Sequence, residues 1–263
     1  MTDSHVTLTI DARGVATVTL DRPDKHNAFD DEVICALKDR FVELAADRTV
    51  RVVILASTGK SFSAGADLNW MRRMAEYDFG HNMRDAEQLA AMLKALADLP
   101  QPTIARVQGA AYGGAVGLVS CCDIAIAGER ASFCLSEVKI GLVPATISPY
   151  VIRAIGERAA RRYFVTAERF DAARAADLGL VSEVVPQDTL DGKVAELVDA
   201  ILGNGPQAVL AAKDLVQSIA GQTIDAQLIE DTCARIAHIR VSTEGQEGLG
   251  AFLTKRKPNW QDV

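Results

Sequence analysis

Phe62-Ser63-Ala64-Gly65-Ala66-Asp67-Leu68 follows the unbroken apolar run Val52-Val53-Ile54-Leu55-Ala56. Farther on, Gly109-Ala110-Ala111-Tyr112-Gly113-Gly114-Ala115 follows the short run Ile104-Ala105-Arg106-Val107. A continuous apolar run of this length marks a strand buried on both faces. So strand leads into small-residue loop twice, and the second loop opens a helix. Small residues leave amides free and let a ligand approach the backbone. Two strand-end loops of this kind can aim two N–H groups at one carbonyl oxygen, and one such donor is worth ~2.7–4 kcal/mol in a transition state. The same glycines also permit tight packing, and the residues alone leave both uses open.

Working outward, 6–10 and 15–20 alternate apolar and polar around Asp11-Ala12-Arg13-Gly14, the pattern of a β-hairpin. Phe29, Val33, Ile34, Leu37, Phe41, Leu44 and Ala45 fall at helical spacing behind Asp30, Asp31 and Glu32, which suit a helix N-terminus. Residues 86–99 predict a helix closed by Pro100 and Pro102. Short strands are expected at 123–127 and 132–134. After Ser148 the pattern turns helical, at 149–155, 157–165, 171–177, 190–202 and 206–241. The expected class is α/β, with strands and helices alternating early and helices dominating late. Gly203-Asn204-Gly205-Pro206 is the clearest hinge, dividing a core at 1–202 from a helical region at 203–263.

Composition narrows the function. The 263 residues are 49% hydrophobic and 24% charged, which is enough apolar side chain for a core and excludes disorder. A net charge of −7 with no dense basic cluster argues against nucleic acid as a partner. The most apolar stretch, 107–122, falls short of the ~18–20 residues a membrane span needs. Five cysteines without a C-x-x-C read as reduced thiols of a cytoplasmic protein. The polar stretch 1–6 reads as neither signal nor transit peptide. Four histidines lack metal-ligand spacing, so no metal is expected. Gly59-Lys60-Ser61 lacks the earlier glycine of a phosphate loop, and Ala111 breaks G-x-G-x-x-G. The chain also lacks a G-x-S-x-G elbow, because Phe62 and Ser63 follow Ser61.

With these blocks in view, the chain resembles the crotonase (enoyl-CoA hydratase/isomerase) superfamily over nearly its whole length. The resemblance rests on Asp21-Arg22-Pro23 with Asn27-Ala28, on 62–68, on Gln108-Gly109 through Gly114, and on Cys122-Asp123-Ile124. Glu137 with Gly141-Leu142 and Pro144, the segment 176–181, and Glu247-Gly248 through Lys255-Arg256-Lys257-Pro258 complete it. It implies a spiral of ββα units with a C-terminal helical region that drives homo-trimers, often paired as hexamers. It implies an acyl-CoA thioester substrate and no separate cofactor, coenzyme A being part of the substrate. By the same resemblance, the amides of Ala66 and Gly114 would hold the thioester carbonyl. Ala64, Asp67 and Leu68 would line the adenine end of coenzyme A, and Lys25 and Ala28 would flank its pantetheine and nucleotide. Phe252 and Lys255 would reach the coenzyme of a neighbouring subunit.

Two departures matter. Where hydratases of this superfamily carry a first glutamate, this chain has Gly117; the second matches Glu137, the only carboxylate between Glu129 and Glu157. Burial among apolar neighbours would raise its pKa towards a range useful for proton transfer. The family's Gly-Gly after the proline is replaced by Ala145-Thr146-Ile147-Ser148, so Thr146 or Ser148 would have to hold an attacking water. A single glutamate serves a Δ3-Δ2-enoyl-CoA isomerase, or a hydratase in which one residue makes both proton transfers. A non-catalytic acyl-CoA- or RNA-binding relative is the third expectation. Asp67-Leu68-Asn69-Trp70-Met71 with Ser136-Glu137-Val138 resembles bacterial methylglutaconyl- and isohexenylglutaconyl-CoA hydratases, of leucine/isovalerate and acyclic terpene breakdown. That implies a 3-branched glutaconyl thioester, whose free carboxylate would want Arg72, Arg73, Lys139 or Arg153 nearby. Trp70 and Met74 are candidates for an acyl pocket.

Overall fold

β1 (Val6–Ile10) and β2 (Val15–Leu20) form the expected antiparallel hairpin. The computed structural model describes residues 5–261. Most of the stretch 1–6, read above for targeting, therefore lies outside the described residues. α1 (Asp31–Ala46) begins at Asp30, whose carboxylate accepts the Val33 amide, and its buried stripe is Val33, Ile34, Leu37, Phe41 and Leu44. β3 (Val52–Ser57) leads through the first small-residue loop into α2 (Leu68–Ala75), which the apolar spacing alone did not predict. α3 (Phe79–Ala97) starts a full two turns before the expected 86, because Asp78 caps it by accepting the His81 amide.

β4 (Thr103–Val107), β5 (Ala111–Tyr112) and α4 (Gly114–Cys121) carry the second loop. β6 (Ile124–Gly128), β7 (Ser132–Cys134), α5 (Ser148–Thr166), β8 (Phe170–Asp171), α6 (Ala172–Asp177) and β9 (Glu183–Val185) follow. α5 is broken at Gly156, which matches the two helices expected there. α7 (Leu190–Leu202) has the expected bounds. The helical run expected at 206–241 is two helices, α8 (Pro206–Ile219) and α9 (Ala226–Val241), and α10 (Thr243–Leu253) follows.

The larger sheet has the order β1-β2-β3-β4-β6-β9, parallel from β2 onward, and β5-β7-β8 form a smaller one. This is the expected α/β class. β3 shows why its run is unbroken. Val53 and Leu55 enter the main core with α1 and α3, while Val52 and Ile54 face α7 through Val194 and Val198. The C-terminal helices are tied to this core from below. Lys213 Nζ on α8 lies 2.6 Å from Asp123 Oδ2 and donates to Gln101 O at 2.9 Å, with its side chain only 8% exposed. Asp123 Oδ2 also accepts the Thr103 amide at the start of β4. Among the described residues no helix is long and apolar enough to cross a membrane.

Candidate active site

The two loops are stitched edge to edge. Ser63 N donates to Ala110 O and Tyr112 N to Ser63 O, both at 3.0 Å. Phe29 brackets Ala66 in the same way: its N–H donates to Gly65 O, and its carbonyl accepts Asp67 N. In a parallel ladder the bracketed residue turns its own N–H away. The Ala66 amide is thus left without an acceptor among the described residues. Gly114 opens α4, where first-turn amides have no partner within the helix and the dipole is positive. Two free donors therefore come from loops in direct contact.

Buried amides hold the first loop in place. Asn27 is 1% exposed; its Nδ2 donates to Thr58 O and Ser61 O, and its Oδ1 accepts the Arg22 amide. Gln108 Nε2 donates to Ser57 Oγ and Ser61 O. These contacts give the Asn27 and Gln108 of the sequence blocks a physical reason.

Glu137 begins a single 3₁₀ turn (Glu137–Ile140) directly after β7. Its carboxyl lies over Gly113: a methyl group built on that glycine would stand 3.3 Å from Oε1. Gly113 has φ 55°, ψ −126°, a conformation open to glycine and strained for other residues. Glu137 Oε2 is buried with no hydrogen-bond partner, and burial raises the pKa of the carboxyl above its ordinary value. A buried, unsatisfied carboxyl oxygen is unusual, because buried polar groups are nearly always paired.

Gly117 is packed against Ile147 and Leu93. A Cβ there would meet Ile147 Cγ2 at 2.4 Å, so the buried Ile147 occupies the space of a side chain at 117. The two departures noted in the sequence are one packing arrangement. Ser148 Oγ is spent on Ala145 O, whereas Thr146 lines a cleft. That cleft, of about 400 Å³, runs between α2, α3 and the segment after Glu137. Trp70 and Met74 line it, as the sequence suggested, together with Asp85, Leu89, Leu142 and Val143.

The other expected residues divide into three groups. Lys25, Ala28 and Ala64 share one edge: Ala28 N donates to Lys25 O, and Ala64 N to His26 O. Asp67 is 5% exposed and its carboxylate caps α2, accepting the Asn69 and Trp70 amides. Burial works against its charge, but those amides, with Lys25 and Arg22 at 3.7 and 3.6 Å, hold its pKa below the usual range. Its side chain is therefore committed to the fold, as is its backbone, whose N–H donates to Phe29 O and whose carbonyl accepts the Met71 amide. Leu68 is 70% exposed beside it. Phe252, 81% exposed, and Lys255 lie at the end of α10, which packs on α8 and α9, and no described contact joins them to the two loops. Among the described residues no group of three or more His, Cys, Asp or Glu could hold a metal.

Sequence reasoning missed Asp85, Ile147 and Phe29. Phe29 sets how close the loops come, since a Cβ on Gly114 would stand 2.7 Å from its ring. Phe29 and Ile147 stand at quoted blocks, but only the folded arrangement reveals what they and Asp85 touch.

Residues 11–263 match the family model described as enoyl-CoA hydratase/isomerase. An enoyl-CoA hydratase from Shewanella pealeana is 51% identical, with a TM-score of 0.93, covering 97% of this chain and 96% of its own. A Mycobacterium smegmatis enoyl-CoA hydratase is 35% identical, with a TM-score of 0.92, over 98% of this chain and 99% of its own. The 2,3-dehydroadipyl-CoA hydratase of Escherichia coli K12 is 32% identical over 94% of this chain and 95% of its own. The free amides, the carboxyl over Gly113 and these matches lead to one conclusion: the chain belongs to the enoyl-CoA hydratase/isomerase family.

Proposed function

We propose that the protein is an enoyl-CoA hydratase that adds water across the C2=C3 bond of an acyl-CoA thioester. The observation that carries this reading is the buried, unpartnered Glu137 Oε2 in a carboxyl that lies over Gly113, next to the free amide of Gly114. Water attacks C3 while the Glu137 carboxylate takes its proton. The C2=C3 electron pair moves onto the thioester oxygen, and the resulting enolate is held by the Ala66 and Gly114 amides. The protonated Glu137 then returns a proton to C2, which closes the balance as one water added. Burial supports the first half, because a raised pKa makes the ionised Glu137 a better base, and the second half is driven by the enolate, which is a far stronger base than a carboxylate. Thr146, which lines the cleft, would steady the water. Lys25, Ala28, Ala64, Asp67 and Leu68 would line the coenzyme A site, with Phe252 and Lys255 supplied by a neighbouring copy in a trimer or hexamer.

The finer expectation, a 3-branched glutaconyl group, is supported by the subgroup pattern and needs a cation. Arg72 is turned to Asn69, Arg73 is paired with Asp31, Lys139 and Arg153 are exposed, and none of the four lines the cleft. The lining favours an uncharged acyl group, straight or branched.

One observation favours a second reading. Ile147 fills the space of a side chain at 117, so that position supplies no second carboxylate to partner Glu137, which suits a Δ3-Δ2 isomerase. Incubating enoyl-CoA thioesters in H2¹⁸O with wild type and Glu137→Gln, followed by mass spectrometry, separates the two. Gain of one labelled water, lost in the variant, supports the hydratase. An unchanged mass with a shifted double bond makes it an isomerase. No change in any thioester sinks both.

A further inference from the structure

Asp85 is the one charged residue of the cleft wall. Its Oδ2 accepts the Trp70 indole N–H at 3.0 Å, and Trp70 is 4% exposed, so the carboxylate is fixed against a rigid ring. Among the described residues it has no ion pair. The rest of the wall is Met74, Ala86, Leu89, Leu142 and Val143, with the neutral Asn82 and Thr146. The cleft begins at α2, the helix that follows Ala66, and ends on the segment that follows Glu137. On the acyl-CoA reading, a thioester held at the two loops would send its acyl tail along this wall.

We propose that Asp85 sets the charge of the tail: the cleft takes uncharged acyl groups and rejects those that end in a carboxylate. The proposal rests on the acyl-CoA reading above and narrows it to a substrate class. Its physics is local. A fixed negative charge in a partly desolvated, mostly apolar groove repels a second one more strongly than water would allow. An uncharged tail meets only apolar surface and the indole. Specificity then comes from a repulsive element as well as from fit.

Saturated thioesters test this without turnover. Hexanoyl-CoA and adipoyl-CoA have the same chain length and differ by the terminal carboxylate. Titration calorimetry on the wild type is expected to give hexanoyl-CoA the tighter Kd by at least about tenfold, equivalent to ~1.4 kcal/mol. Asp85→Asn, which keeps an acceptor for the indole, is expected to bring the ratio below about threefold, and Asp85→Glu to retain most of it. Should Asp85→Asn fail to fold, raising the salt on the wild type replaces it, since screening must shrink the ratio if charge causes it. Equal binding of the two thioesters by the wild type, or an unchanged ratio in Asp85→Asn, overturns the proposal. The hydratase reading fails separately, by the absence of water gain, and the binding ratio is unaffected by that result.

Discussion

Glu137 has a stability consequence whose sign follows from its surroundings. Its folded-state pKa is raised, so the native state binds its proton more tightly than the unfolded chain does. Stability from this group is present at low pH and declines as pH rises from the ordinary glutamate value through the raised one. At pH 7 the ionised carboxyl is a cost that glutamine lacks. Glu137→Gln is therefore expected to melt no lower than wild type at pH 7 while losing about 10²–10⁴-fold in kcat. A calorimetric scan beside a turnover assay checks both. The acid limb of kcat/KM should sit above the ordinary glutamate pKa and be absent from the residual activity of the variant. At the same scale, Gly117→Ala should cost ~1–3 kcal/mol by overpacking against Ile147, and Gly117→Ala with Ile147→Val should recover part of it in urea unfolding. The sequence exposed Gly117 as a departure. It could not show what filled the space, because Ile147 is thirty residues on and nothing in the sequence ties the two departures together.

At the scale of elements, caps decide what periodicity leaves open. α2 was unreadable from apolar spacing, since Trp70 is its only buried residue. What starts it is Asp67, which takes two first-turn amides. Asp67→Ala removes that cap and leaves Arg22 and Lys25 facing a gap. We expect a loss of ~1–2 kcal/mol, read by chemical denaturation, together with a mobile first loop. The early start of α3 has the same origin in Asp78, and the division between α8 and α9 lies at 220–225, where the helical pattern seemed continuous. By contrast the β1–β2 hairpin, β3 and α7 were legible because period and flanking turns agree. Leu55 is wholly buried in the main core, and Leu55→Ala should cost ~2–5 kcal/mol by the same measurement.

For the whole molecule, the order of strands and loops was legible, and with it the meeting of the two small-residue segments. The oligomer enters only through the family resemblance, because partner surfaces read like any other apolar helix face. Leu249, Phe252 and Leu253 on α10 are exposed. A second apolar groove lies between α8 and α9, lined by Ala208, Ala211, Leu215, Ile236 and Ile239. Burying such faces is worth roughly 25 cal/mol per Å². We expect sedimentation to give three or six times the 28.2 kDa chain mass, and Leu253→Asp to shift it towards one.

The packing of Ile147 on Gly117 also constrains what the chain can become. An acidic side chain at 117 cannot be introduced in one step, because that step drives a bulky group into an occupied core. Ile147 must first shrink and leave a void, so the order of substitutions is constrained and the path crosses a fitness valley. The arrangement acts as an evolutionary ratchet that keeps a carboxylate out of position 117.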